Sequence, residues 1–213
     1  MERNEQTRLS RRTLLRLMVA APLTLSVVLG AQGVLGGTGA ATRAQELPPT
    51  PACVDDDDAD LTLAQTEGPY FTPNSPERTS LLEAAMEGTR VVLSGYVLGT
   101  NCQPVPGTLL DWWQADDRGQ YDNVGYRLRG HQFTDESGRY WLETIVPGLY
   151  PGRTRHFHLR VQPPYGSILT TQLYFPNEPA NLRDHIYRPE LLLDVQDSAD
   201  GLVGTFNFVL NVG

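Results

Sequence analysis

From residue 90 to the C-terminus the chain alternates apolar and polar residues in short runs, and a turn signal closes each run. Successive side chains on a strand point to opposite faces, so such alternation marks a strand with one buried face and excludes a long amphipathic helix. The runs are 91–98, 108–114, 138–146, 156–162, 170–175 and 205–212. Between them stand Pro104-Val105-Pro106-Gly107, Asp116-Asp117-Arg118-Gly119, Asp135-Glu136-Ser137-Gly138, Pro147-Gly148 and Pro163-Pro164. Short strands with regular turn punctuation predict an all-β fold, a β-sandwich, with few or no long helices. Residues 79–87 are expected to add one short helical turn. The core domain is expected to run over 80–213, long enough to bury a hydrophobic core.

The N-terminal part reads differently. Arg11-Arg12 precede an apolar run from Leu17 to about Leu29, the pattern of a twin-arginine signal over residues 1–44. The run falls short of the roughly 20 residues a membrane span needs. Export to the periplasm or the cell exterior is therefore expected, with no stable span after cleavage near Ala40-Ala41 or after Ala44. Residues 45–79 form an acidic, proline-rich arm containing Asp55 to Asp58. That aspartate run lacks the spacing and glycine of a calcium loop and reads as solvated.

Charge narrows the partners. Removing the six arginines and two glutamates of residues 1–44 from 17 basic and 25 acidic residues leaves 11 against 23, a net −12. Such a surface argues against nucleic acid and anionic membranes. The chain has no lysine, which excludes Schiff-base chemistry. Its two cysteines, Cys53 and Cys102, are a candidate disulfide in an exported protein.

The chemistry concentrates in Tyr150-Pro151-Gly152-Arg153-Thr154-Arg155-His156-Phe157-His158. On a strand His156 and His158 share a face and can converge on one metal ion. Tyr150 and Tyr121, the latter in Gly119-Gln120-Tyr121, are candidate phenolate ligands. A phenol has a pKa near 10, so only an adjacent strong positive charge holds it ionised at neutral pH. Hard anionic oxygens suit a hard, highly charged cation, and two tyrosinates with a hydroxide would neutralise Fe(III).

The segment from Leu110 to Phe175 resembles the intradiol ring-cleavage dioxygenases. The matching pieces are Asp111-Trp112-Trp113-Gln114-Ala115 with Gly119-Gln120-Tyr121, Leu128-Arg129-Gly130, Thr134 to Tyr140, Thr144 to Pro151, Arg153 with His156-Phe157-His158, and Leu169 to Phe175. The resemblance implies a non-haem Fe(III) site held by Tyr121, Tyr150, His156 and His158, with Tyr150 the axial tyrosinate that leaves when substrate binds. It implies that Arg153, rather than Arg155, stabilises charge on the ring, and that Gln172 is the active-site glutamine. The implied reaction opens a catechol between its hydroxylated carbons with O2, giving a muconate-type product, as in aromatic catabolism. The linker from Tyr150 to His156 is far shorter than in the cytoplasmic members, and their long N-terminal helical segment is absent. This implies an open pocket and leaves the catechol and the oligomeric state undefined. Thr66-Glu67-Gly68-Pro69-Tyr70-Phe71 is similar to the start of exported members, and Tyr70 either lines the pocket or packs.

Two other readings stand beside this one. The chain could be a non-catalytic β-sandwich binding module that retains a metal, since a fold alone does not fix function. A zinc or copper hydrolase ranks last, because no glutamate is spaced as a general base and phenols suit those metals poorly.

Overall fold

A computed structural model of the chain describes residues 61–212. Among the described residues nine strands form two sheets: β1 (Arg90–Gly99), β2 (Leu109–Trp113), β3 (Arg129–Phe133), β4 (Arg139–Ile145), β5 (His156–Gln162), β6 (Leu169–Tyr174), β7 (Asp194–Ser198), β8 (Gly201–Thr205) and β9 (Phe208–Leu210). The only helical elements among the described residues are two short 3-10 turns, Pro179–Leu182 and Pro189–Leu191. No helix there is long and apolar enough to cross a membrane.

The first sheet runs β4-β1-β8-β7, with β9 beside the end of β1. The second runs β3-β2-β5-β6 and is antiparallel throughout. Between them lie Val91, Leu93, Tyr140 and Leu142 from one sheet and Leu110, Trp112, Phe157, Leu159 and Leu173 from the other. Each such side chain contributes on the order of 1.5–3 kcal/mol on burial, so the alternation that puts them on one face also fixes strand register.

Five strands fall where alternation placed them. The run expected over 205–212 does not continue as one strand. It breaks at Phe206-Asn207, where the Phe206 N–H donates to the Ser94 carbonyl (3.1 Å) and Asn207 accepts from the Tyr96 N–H (3.0 Å). The helical turn expected over 79–87 is also absent. Ser80 bridges Glu143, and the Leu81 N–H donates to the Glu143 carbonyl (2.8 Å), so this stretch runs along the edge of β4. Complete burial of Leu81 prevails over local helix propensity there.

The described part of the arm is laced to the sandwich. The Thr62 N–H donates to Val209 (3.0 Å), the Gln65 N–H to Thr170 (2.8 Å) and the Arg78 N–H to His131 (2.8 Å). Residues 62–79 and the strands thus belong to one compact unit. Cys102 lies in the turn after β1, whereas Cys53, the twin-arginine segment and the aspartate run lie outside the described residues.

Candidate metal and substrate site

β5 turns Phe157, Leu159 and Val161 toward the inter-sheet core, so His156 and His158 face outward. They are nevertheless only 4% and 2% exposed, because segments carrying Tyr70, Tyr121 and Tyr150 lie over that face. Sheet register sets their neighbours. His158 is paired with Trp113 on β2 and with Gln172 on β6, and His156 with Tyr174. The Trp113 ring stacks on His158 at 5.0 Å and 7°.

The imidazoles meet Nε2 to Nε2 at 3.0 Å. His156 Nδ1 lies 2.6 Å from the Thr154 carbonyl, which can only accept; Nδ1 therefore carries the proton and Nε2 presents a lone pair. The Tyr121 hydroxyl is 3.4 Å from the same Nε2. Burial, reinforced by the Arg153 charge, pushes the His156 pKa down to about 4. Burial and then the neighbouring His156 push His158 well below the usual imidazole range. Both rings are neutral at pH 7, the form that binds metals.

Two loops bring the phenols in. The Asp116 carboxylate accepts from the Arg118 and Gln120 N–H groups (3.0 and 2.9 Å), which closes the turn before Tyr121. The Gly148 N–H then donates to the Asp116 carbonyl (2.7 Å), joining this turn to the Tyr150 loop. The approach is so close that a Cβ on Gly119, at φ +79°, would stand 2.1 Å from the Leu149 carbonyl oxygen. Only glycine fits there, both in conformation and in space.

Tyr70 completes the aromatic wall. Its ring stacks on Tyr121 at 4.3 Å and 15°, and its hydroxyl is 2.8 Å from that of Tyr150. Buried Arg129 fixes the pair, donating to the Tyr70 carbonyl (2.6 Å) and through two nitrogens to the Asp122 carbonyl (3.0 and 2.6 Å). Burial drives the Tyr121 pKa well above its ordinary value, against the lowering effect of Arg153. The hydrogen bond to Tyr150 raises that of Tyr70.

Arg153 and Gln172 come together as well. Arg153 donates from Nη2 to the Gln172 side-chain oxygen (2.6 Å) and from Nε to Asp184 (2.8 Å). Gln172 also accepts from the Tyr174 hydroxyl (3.0 Å) and donates to the Thr66 carbonyl (2.8 Å). Every polar atom of its side chain is engaged, so it orients Arg153. Arg155 points elsewhere, to Glu178 (2.8 Å) and the Pro147 carbonyl (2.8 Å).

The donor set fits a hard trivalent cation. Two neutral imidazoles face each other with a phenol alongside, and among the described residues His158 Nδ1 is buried without a hydrogen-bond partner. No group of three or more His, Cys, Asp or Glu able to hold a metal occurs among the described residues, and the phenol beside the imidazoles is that of Tyr121. The sequence reading missed Asp184, Arg129 and the Thr66 carbonyl. Asp184 lies 31 residues from Arg153 and Thr66 acts through its backbone, so neither leaves a local signal.

Comparison with known proteins gives a consistent picture. A family model described as "Dioxygenase" matches residues 66–212. The chain is 35% identical over 127 residues to the protocatechuate 3,4-dioxygenase beta chain of Burkholderia cepacia, covering 50% of this chain and 54% of that one. It is 28% identical over 161 residues to a hydroxyquinol 1,2-dioxygenase of Rhizobium sp. (strain MTP-10005), covering 62% and 55%. It thus spans about half the length of these curated relatives. Among solved structures, the dioxygenase domain of a dioxygenase carbohydrate-binding protein fusion from Streptomyces sp. SirexAA-E superposes with a TM-score of 0.71 at 54% identity. That match covers 72% of this chain and 100% of that one.

Proposed function

The chain belongs to the intradiol ring-cleavage dioxygenase family, and from that premise we propose that it opens catechol-type rings between the two hydroxylated carbons with O2. The observation that carries this reading is that His156 Nε2 meets both the His158 Nε2 (3.0 Å) and the Tyr121 hydroxyl (3.4 Å). Tyr121, Tyr150, His156 and His158 would hold non-haem Fe(III). When bound, ferric iron supplies the Lewis acidity that keeps phenols ionised and favours a catechol as its dianion.

The protein's own groups do the rest. Trp113 stacked on His158 and the strap carrying Gly68 and Tyr70 exclude water from the imidazoles. Hydrogen bonds inside that space are stronger for it. The Tyr70 hydroxyl holds or shares the Tyr150 proton across 2.8 Å. Arg153, aligned by Asp184 and Gln172, presents a guanidinium that stabilises negative charge on the ring. Asp184 stays ionised to do this. Its burial opposes ionisation most strongly, but the Thr154 N–H and the Arg153 guanidinium hold it below the usual carboxylate range.

Export by the twin-arginine route to the periplasm or exterior is part of the proposal, supported by Arg11-Arg12 and the apolar run behind them. So is a Cys53–Cys102 disulfide. The optical test is direct: iron-loaded protein should show tyrosinate-to-iron charge transfer in the visible, and Tyr150→Phe should shift or bleach it. A colourless iron-loaded protein would sink the assignment.

A further inference from the structure

An open cleft of about 410 Å3 shares Tyr150 and Arg153 with the site and is also lined by Leu149, Pro151, Ala180 and Arg183 among others. That volume lies within the roughly 300–1,000 Å3 of small-molecule pockets. The cleft has three chemical zones. Tyr150 and Arg153 are shared with the site, where they bond Tyr70 and Gln172; Leu149, Pro151 and Ala180 are apolar; and Arg183 stands on the wall as a second cation.

The two guanidiniums differ in one respect. Asp184 and Gln172 answer Arg153 at 2.8 and 2.6 Å. Arg183 is exposed and forms no ion pair among the described residues. Its backbone, by contrast, is fixed. The Arg183 N–H donates to Ala180 (3.0 Å), ending the 3-10 turn that Glu178 caps, and the next residue is the buried Asp184 pinned by Arg153 and the Thr154 N–H. An exposed cation without an ion pair on a fixed backbone, lining a cleft of a strongly acidic protein, is placed to receive an anion. A guanidinium takes a carboxylate in a two-pronged, charge-assisted pair.

We propose that Arg183 is a specificity-determining residue that binds the carboxylate of a ring substituent, so that this protein prefers catechols carrying an acidic side chain to unsubstituted catechol. The inference rests on the dioxygenase reading above. The apolar walls would cover the linker between ring and carboxylate.

The test compares kcat/KM for 3-(3,4-dihydroxyphenyl)propanoate and for catechol in the iron-loaded full chain, in wild type, Arg183→Gln and Arg183→Lys. The acid-to-catechol ratio should fall by about tenfold or more in R183Q, mainly through KM, and recover in part in R183K, the loss of one charged hydrogen-bonded pair. An unchanged ratio in R183Q overturns the inference. Calorimetry with 3-(4-hydroxyphenyl)propanoate, a monophenol that cannot be ring-opened, reads the same contact without turnover; equal affinity in wild type and R183Q overturns it too. Absence of O2 uptake with every catechol, combined with a weaker calorimetric affinity in R183Q, counts against the dioxygenase reading and supports the carboxylate site.

Discussion

The hydroxyls of Tyr70 and Tyr150 share one hydrogen bond of 2.8 Å, although the residues stand 80 positions apart. This links the strap over the site to a tyrosine proposed to hold iron. Tyr70→Phe keeps the stack on Tyr121 and removes only that bond. We expect a small loss of stability in urea unfolding. The pH profile of kcat should also move relative to wild type, because the Tyr150 oxygen loses its proton partner. An unmoved profile would assign Tyr70 to packing alone.

Arg153 and Arg155 should separate cleanly. Arg153→Gln removes the one guanidinium aligned on Gln172 and should lower kcat about 10²- to 10³-fold, the scale of losing a preorganised charge donor. Arg155→Gln breaks a partly exposed pair with Glu178 worth about 0–1 kcal/mol and should change melting temperature more than kcat. Steady-state kinetics of the two variants, side by side, checks this.

Gly119→Ala tests the junction of the two tyrosine loops. The left-handed backbone costs alanine about 1–2 kcal/mol before the 2.1 Å approach to Leu149 is counted. The sandwich core is untouched, so far-UV circular dichroism should persist while iron stoichiometry and the visible band fall. Full iron retention would contradict the geometry described for Tyr121 and Tyr150.

Acid should loosen the edge of the first sheet. Glu143 accepts from Ser80 (2.8 Å) and pairs with Arg90 (2.7 Å), and these hold its pKa below the ordinary value. A carboxyl depressed in the folded state contributes stability above its unfolded pKa, about 4.3, and that contribution is lost as pH falls through the folded value. Glu143→Gln should therefore lower the melting temperature at pH 7 and lower it less at pH 3. Thermal melts at the two pH values check it.

These expectations depend on features of unequal visibility in the sequence. β1, β2, β4, β5 and β6 bury one face each, so alternation exposed them. β3 reads Arg-Gly-His-Gln-Phe and its one apolar side chain, Phe133, is half exposed, so no buried stripe announced it. β7 is an exposed edge strand, and β8 carries two glycines and is placed by parallel pairing to β1, a contact about 110 residues away in the chain. The sequence singles out Tyr121, Tyr150, His156, His158, Arg153 and Gln172 by their order and chemistry, and folding brings them together in contacts such as His156–His158 and Arg153–Gln172. Asp184, the Thr66 carbonyl and the Tyr70–Tyr150 bond were not legible there, because each acts only through a partner that folding brings close.

The most direct test of the central claim is oxygen uptake by the iron-loaded protein with a panel of catechols, with the product followed by absorbance. One O2 should be consumed per ring opened, giving a muconate-type diacid absorbing only in the ultraviolet. A yellow semialdehyde from cleavage outside the two hydroxyls, or no uptake with any catechol, would contradict it.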